Sequence, residues 1–243
     1  MRILISLSFA FFFITCFGQK NKQSTFDFSY THQLPIGDLA ERFGDNSAIG
    51  FCFMQEKEDN LFYGIQANYI FSSNIKDSTL FNNINTSNGA IISAEGSYTE
   101  INLSQRGFDA YLFAGYAYHP KEANLNGFYL SGGLGFLQHQ IFIDTRNQNI
   151  PQLNDEMKKG YDKLTNGISS KWEVNYRYYD KSGKFQIYAG LNMTLAFTKI
   201  QREYLFDKME YTPNTKNWDK FAGVKMGIII PINRKNEEEF HYY

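Results

Sequence analysis

Hydrophobic and polar residues alternate along several segments of the chain. The clearest is segment 185–197, whose odd positions are all apolar and whose even positions are polar or small. Segments 61–71, 169–178 and 221–230 repeat this period of two. Because the side chains of a β-strand point alternately to opposite faces, each segment is predicted to be a strand with one apolar and one polar face.

The arrangement of strands and links predicts a membrane barrel. Less regular strands near 25–33, 47–55, 108–118 and 127–142 bring the number to eight. Polar turns at 56–60, 119–126 and 180–184 alternate with longer links near 34–46, 72–107, 144–167 and 198–217. Short periplasmic turns and long external loops are typical of outer-membrane barrels. We therefore predict an all-β fold, an eight-stranded antiparallel transmembrane β-barrel. The alternative is a soluble barrel or sandwich with its apolar face inside.

Composition supports the membrane barrel. Aromatic residues make up 17% of the chain, and many lie near predicted strand ends, as do Tyr69, Tyr118 and Phe197. Amphipathic rings favour the headgroup level of a bilayer, so this placement suits two aromatic girdles. The net charge of −1 lacks the basic bias of most nucleic-acid binders. We expect no nucleic-acid partner.

The N-terminus has the pattern of a secretory signal peptide. Arg2 is followed by an apolar run that ends at Gly18. This run is shorter than the roughly 20 apolar residues of a spanning helix; an uncleaved anchor and a lipoprotein modified at Cys16 are the alternatives. We predict a signal peptide over residues 1–18, a barrel domain over 19–243 and a location in the cell outer membrane. Cys52 is then the only thiol left, and it cannot form an internal disulfide.

Candidate chemistry is sparse along the chain. No HExxH motif or close histidine pair occurs, and Ser131 and His139 are too far apart along one strand to meet. We predict no catalytic residues, no metal site and no cofactor. The polar strand faces do carry charges that we expect to form a network in the lumen: Asp109, Lys171, Glu173, Arg177 and Lys225, with Asp27 nearby. Such a network is either a static set of salt bridges, which we favour, or an ion pathway.

The predicted external link 151–167 contains an aromatic residue among cations. Tyr161 lies beside Lys158, Lys159 and Lys163. Aromatic anchors often carry contact energy, while charges steer the encounter. These four residues are predicted to contact a partner or lipopolysaccharide phosphates; the alternative is a solvated lid over the barrel mouth.

Several stretches resemble one known family. GSYTEINLSQRGF (96–108), GLGFLQHQIFI (133–143), PQLNDEMKKGYDKLTNG (151–167) and the terminal GIIIPINR…EFHYY resemble a Bacteroidetes family of outer-membrane β-barrel proteins. In fold this family is similar to the small eight-stranded barrels of the outer-membrane protein A and X type. The family is functionally uncharacterised, so the resemblance implies the barrel and no activity.

These patterns favour a non-enzymatic outer-membrane protein that acts through its external loops. Its role would be structural, adhesive or accessory in an envelope complex, with outer-membrane lipid and lipopolysaccharide as further partners. The alternatives are a narrow pore for small solutes and, less favoured, a lipid-modifying enzyme.

Overall fold

The computed structural model describes residues 21–120, 125–146, 149–180 and 186–232. The predicted signal peptide (1–18), most of the third short turn (181–184 of 180–184) and the C-terminal tail (233–243) lie outside the described residues. No helix in the described ranges has the length and apolar character needed to cross a membrane.

Eight antiparallel strands close into one barrel, which confirms the predicted fold class. They are β1 (Asn21–Ile36), β2 (Asn46–Lys57), β3 (Leu61–Ser72), β4 (Asn102–Tyr118), β5 (Gly127–Asp144), β6 (Thr165–Tyr179), β7 (Gln186–Ile200) and β8 (Asn217–Pro231). Each strand pairs with its neighbours in sequence, and β1 pairs with β8 to close the wall, with Phe28 opposite Ile228. A closed barrel leaves no unpaired strand edge, as a membrane-spanning sheet requires.

The outer wall carries an apolar belt. Outward-facing aliphatic side chains occupy its middle: Leu112, Leu130, Leu134, Val174, Ile187, Leu191, Val224 and Ile228. Aromatic side chains flank them, near the short turns (Tyr116, Tyr118, Phe128, Tyr176, Tyr178) and near the long links (Tyr69, Phe71, Phe197, Trp218). The polar alternate positions point inward. An apolar exterior with aromatic girdles around a polar interior is the organisation of outer-membrane barrels.

Most strands continue beyond their predicted ends on the side of the long links. β4 begins at Asn102 rather than near 108, and β6 begins at Thr165 rather than at 169. The strands are 12 to 18 residues long, whereas crossing a bilayer takes about 9–11. The barrel wall therefore extends beyond the membrane on the side of the long links.

The apolar residues change from the outer face of the wall to its inner face where the wall leaves the belt. In the first half of β5, Leu130 and Leu134 point outward and Ser131 points inward. Beyond Phe136 the residues Leu137, Ile141 and Ile143 point inward and are buried, while Gln138 and Gln140 take outward positions, followed by Phe142. Water rather than lipid surrounds this part of the wall, so it buries apolar residues inside, as a soluble barrel does. This reversal explains why the strand ends were predicted poorly.

Candidate functional site

The middle of the lumen is filled by two ion pairs and their amide partners. Lys171 Nζ lies 2.9 Å from Asp109 Oδ2, and the Asn68 amide donates to the same carboxylate. Lys225 Nζ lies 3.0 Å from both oxygens of Glu173, which also accepts a hydrogen bond from the Gln66 amide at 3.2 Å. All of these side chains are buried. The structure thus brings four predicted residues together as two close pairs.

A third ion pair lies nearer the short turns. Arg177 Nη2 donates to Asp27 Oδ2 at 2.6 Å. Its guanidinium carbon lies 4.9 Å from the centroid of the Tyr129 ring and 5.1 Å from that of Tyr188. Arg177 therefore contacts both a carboxylate and two aromatic rings inside the lumen. With three cations and three anions, the lumen network is neutral.

The end of the lumen at the short turns is closed by a further polar cluster. Glu56 Oε1 lies 2.8 Å from His119 Nε2, and the Tyr129 hydroxyl donates to Glu56 Oε2 at 2.7 Å. The amide of Gln23 donates to the Tyr179 hydroxyl at 2.8 Å. These contacts join strands that face each other across the barrel, so they hold its lower end in one arrangement.

At the opposite end the long links fold into an ordered cap. The link between β1 and β2 contains the short helix α1 (Leu39–Arg42), and two 3-10 helices, Pro151–Leu153 and Met157–Gly160, lie in the link between β5 and β6. The cap and the upper wall share one apolar core: Leu39, Phe43, Ala48, Ile70, Leu80, Phe81, Ile91, Leu137, Ile141, Ile143, Ile150, Leu153, Tyr161, Ala196 and Phe221, with Phe206 packed against them. All four long links contribute to this core.

A buried polar cluster lies directly beneath the cap. His139 Nε2 is 2.9 Å from Asp219 Oδ2, which also accepts a hydrogen bond from the Thr198 hydroxyl at 2.6 Å. Arg42 of α1 lies 3.7 Å from the other oxygen of Asp219. Phe43 packs edge-on against the His139 ring, with centroids 5.5 Å apart. The carboxylate partners of His139 and His119 lie 80 and 63 residues away in the chain, so neither pairing shows as a local motif.

The structure corrects the role expected for Tyr161. This side chain is only 3% exposed. Its ring lies 5.4 Å from the centroids of both Phe81 and Phe206, and its hydroxyl donates to Asn83 Oδ1 at 3.2 Å. Burial raises the pKa of the Tyr161 hydroxyl. Tyr161 therefore fastens the cap together and is not an exposed contact residue.

Lys163 is corrected for the same reason. Its ammonium is buried between two carboxylates, 2.6 Å from Asp77 and 2.7 Å from Asp207. Burial alone would raise the pKa of Asp77, but the hydrogen bond and charge of Lys163 outweigh it and hold that pKa below its ordinary value. A second pair in the cap joins Arg202 to Asp162 at 2.5 Å, and this hydrogen bond raises the pKa of Arg202. These cations link the loops to one another.

Lys158 and Lys159 remain accessible. Lys159 is exposed, and Lys158 is half-buried with its ammonium 3.3 Å from Asp155 Oδ1. Both line an open cleft of about 340 Å³ beside Arg146 and Asp144. Asp155 and Asp162 line it too, so its charges are balanced and it is no strong anion site. Across the described ranges, no group of three or more His, Cys, Asp or Glu side chains is placed to hold a metal ion.

Comparison with known proteins adds structural likeness but no family. No family model matches the chain, and no curated protein matches it. Among solved structures, Neisserial surface protein A is 8% identical, with 86% of this chain and 99% of that chain covered and a TM-score of 0.44. A major outer membrane protein from Thermus thermophilus is 7% identical, with 85% and 99% covered and a TM-score of 0.44. The outer membrane protein OprG from Pseudomonas aeruginosa is 11% identical, with 87% and 98% covered and a TM-score of 0.40.

Nothing about function follows from likenesses this distant. The location follows instead from the barrel itself, whose wall is apolar outside and charged inside. The chain forms a closed eight-stranded β-barrel of the outer membrane, with an ordered cap over the end that carries the long links.

Proposed function

We propose that the protein is a non-enzymatic outer-membrane barrel that presents its cap to a binding partner, in a structural, adhesive or accessory role within an envelope complex. The observation that carries this proposal is the apolar core shared by all four long links. Loops that merely connect strands do not need a common core. Loops on a rigid scaffold are where recognition is usually found.

Hydrogen bonds between different links hold the cap in one shape. The Asn83 amide donates to the carbonyl of Phe206 at 2.6 Å, and the Phe206 N–H donates to the carbonyl of Gly160 at 3.0 Å. A further bond joins the Ala94 N–H to the carbonyl of Asn149 at 2.8 Å. An ordered surface binds with a smaller loss of conformational entropy than flexible loops would. The cap is therefore suited to recognition.

The cap also exposes apolar side chains above the membrane belt. Tyr211 is 81% exposed, Tyr98 70% and Met209 63%. Tyr211 lies in a short hairpin, Tyr204–Leu205 paired with Glu210–Tyr211, whose turn is anchored by the bonds of Phe206. Exposed aromatic residues held by a rigid support are typical contact anchors. Together with Lys159 they define the proposed contact surface: Tyr98, Lys159, Met209 and Tyr211.

The interior lends less support to the other two candidate functions. A narrow pore would need charges free to meet ions, whereas the lumen charges form close pairs. A lipid-modifying enzyme would need a nucleophile and base at the outer rim. His139 is fully buried and bonded to Asp219, and within the described chain no serine or cysteine hydrogen-bonds to it.

The test compares two surface variants in a gentle-detergent purification from native membranes. Tyr98→Ala, Lys159→Ala and Tyr211→Ala are combined in one variant, and Glu58→Ala with Asp59→Ala on a short turn form the control. Both should keep heat-modifiable folding. We expect the cap variant to lose a co-purifying envelope protein that the wild type and the control retain. The same co-purifying proteins in all three samples would refute the proposed contact surface.

A further inference from the structure

A patch of lysines lies on the outer wall where β7 and β8 leave the membrane belt. Phe197 and Trp218 stand opposite each other on these strands and point outward, with ring centroids 5.1 Å apart. Lys216 lies two residues before Trp218, and its ammonium is 4.6 Å from the centroid of the Phe197 ring. Lys199 follows Phe197 by two residues and so continues the outward face of β7.

A third lysine completes the patch. Lys220 lies opposite Leu195 on β7 and opposite Ile36 on β1. Together with Trp218 and Leu195 it lines an open groove of about 520 Å³, which Gly37 and Asp38 also border. We call Lys199, Lys216 and Lys220, with Phe197 and Trp218, the rim patch. Three lysines against one bordering carboxylate leave the patch positively charged.

Within the described ranges these three lysines have no carboxylate partner, whereas nine other lysines and arginines do. Ion pairs engage the following cations: Arg42, Arg146, Lys158, Lys163, Lys171, Arg177, Arg202, Lys208 and Lys225. Among the residues that the structure describes, none of the three rim-patch lysines forms an ion pair. Their charge is available to an external anion.

The surface beneath the patch is apolar. Going down the wall from Phe197 and Lys220, the outward residues are Leu195 and Met193 on β7 and Ile36 and Leu34 on β1. A ligand that matches both levels has an anionic head and a hydrocarbon tail. Lysine ammonium groups at a membrane surface attract anionic lipid headgroups, and lysine is a common phosphate binder.

We propose that the rim patch is a binding site for a phosphorylated amphiphile of the outer leaflet, a phosphoglycolipid whose phosphate meets Lys216 and Lys220 while its acyl chain lies along Leu195 and Ile36. The site is on the outer wall at the base of the link between β7 and β8, uses none of the four residues of the proposed contact surface, and does not depend on the proposed cap function. It also differs from the loop lysines that the sequence suggested for lipopolysaccharide contact.

The alternative explanation is that these lysines only extend their ammonium groups to the membrane surface, as lysines near membrane boundaries commonly do. Such lysines would favour any hydrated interface and would not distinguish a phosphorylated lipid from its phosphate-free form. Phosphate selectivity therefore separates the two explanations.

The experiment measures lipid binding to the folded full-length barrel in detergent micelles by native mass spectrometry. Lipid A and the same lipid without its phosphates are the two probes. The test variant is Lys216→Gln with Lys220→Gln, and the matched control is Lys76→Gln with Lys208→Gln on the cap. We expect the wild type and the control to bind lipid A about tenfold more tightly than the phosphate-free form, and the test variant to lose this preference.

Each other outcome overturns the proposal. If the test variant and the control show the same preference, the lysines act only as general surface cations. If inorganic phosphate displaces lipid A at low concentration, the patch binds a free anion and not a lipid headgroup. Should the double variant fail to fold, the single variants Lys216→Gln and Lys220→Gln decide, because each must weaken lipid A binding while Lys220→Arg retains it.

Discussion

The ammonium of Lys163 lies 2.6 Å from Oδ2 of Asp77, although 86 residues separate them in the chain. The pair joins the link between β5 and β6 to the link between β3 and β4, and both side chains are largely buried. This contact ties the two loops to each other. It also means that a cation expected at a contact surface stabilises the cap instead.

Removing Lys163 should loosen the cap and leave the barrel intact. Lys163→Ala leaves the carboxylates of Asp77 and Asp207 without their shared cation. Loss of one partner from a buried ion pair typically costs about 3–5 kcal/mol. We expect faster hydrogen exchange of amides in the long links and unchanged heat-modifiable folding. Lys159→Ala, at an exposed lysine of the same loop, is the control; equal exchange in both variants would contradict the structural role.

The cap should also loosen in acid. The pKa of Asp77 lies below its ordinary value of 3.8 because Lys163 outweighs the effect of burial. A carboxyl whose pKa is lowered by folding stabilises the folded state above its unfolded pKa, and this contribution is lost as the pH falls through the folded value. We expect cap amides to exchange faster at about pH 3 than at about pH 6, after correction for intrinsic rates. Asp77→Asn should remove much of this difference, and an unchanged pH response would count against the prediction.

The pair of Arg177 and Asp27 should show strong coupling in a double-mutant cycle. Arg177→Met or Asp27→Leu alone leaves a buried charge unpaired, at a cost of about 3–5 kcal/mol. The double variant removes both charges, so it should unfold at a higher urea concentration than either single variant. The measurement is urea unfolding in lipid vesicles, followed by heat-modifiable mobility. If the stability losses of the two single variants simply add in the double variant, the two residues are not energetically coupled.

Purified protein should conduct near baseline in planar bilayers. The lumen is crossed by three ion pairs and covered by Leu39 and Phe43 of the first long link. Blocking the lumen with a bulky substitution at Gly190 would not be a clean test of a pore. A Cβ there would lie 2.2 Å from the Val174 carbonyl oxygen and disturb strand pairing. Heat-modifiable mobility verifies folding in the same preparation. Stable, reproducible openings would favour the pore.

Cysteine labelling of intact cells tests the orientation. In a Cys52→Ala background, cysteines placed at Asp155 and Tyr211 should react with an impermeant reagent, and one placed at Asp59 should not. The reason is that the first two positions lie in exposed parts of the long links, while Asp59 lies in a short turn. Permeabilised cells are the control and should label Asp59 as well. Labelling of Asp59 alone on intact cells would reverse the orientation.

Period-two alternation predicted the membrane half of the barrel well. In β6, Trp172, Val174 and Tyr176 point outward, and Lys171 and Glu173 point inward, as the pattern requires. The alternation of short and long links also corresponds to the observed order of strands. These features depend on neighbouring residues and on the contrast between lipid and lumen, so a single sequence contains them.

The half of the barrel that carries the long links was predicted less well. After Phe136 the apolar residues move to the inner face because the surroundings change from lipid to water. No local sequence pattern indicates where that change occurs. The lysines around Tyr161 in the sequence are typical of an exposed contact residue. In the structure its ring is instead enclosed by Phe81 and Phe206 from two other links. Burial of this kind depends on segments that are distant in the chain.

The sequence by itself determined the strands, their two faces and their order around the barrel, because side-chain direction in a strand follows from backbone geometry. Only the tertiary structure decided which charge pairs with which, that His139 meets Asp219, and that four links form one cap. Those contacts join residues that come together when the barrel closes. Their partners are chosen by the register and curvature of the whole wall rather than by any local pattern.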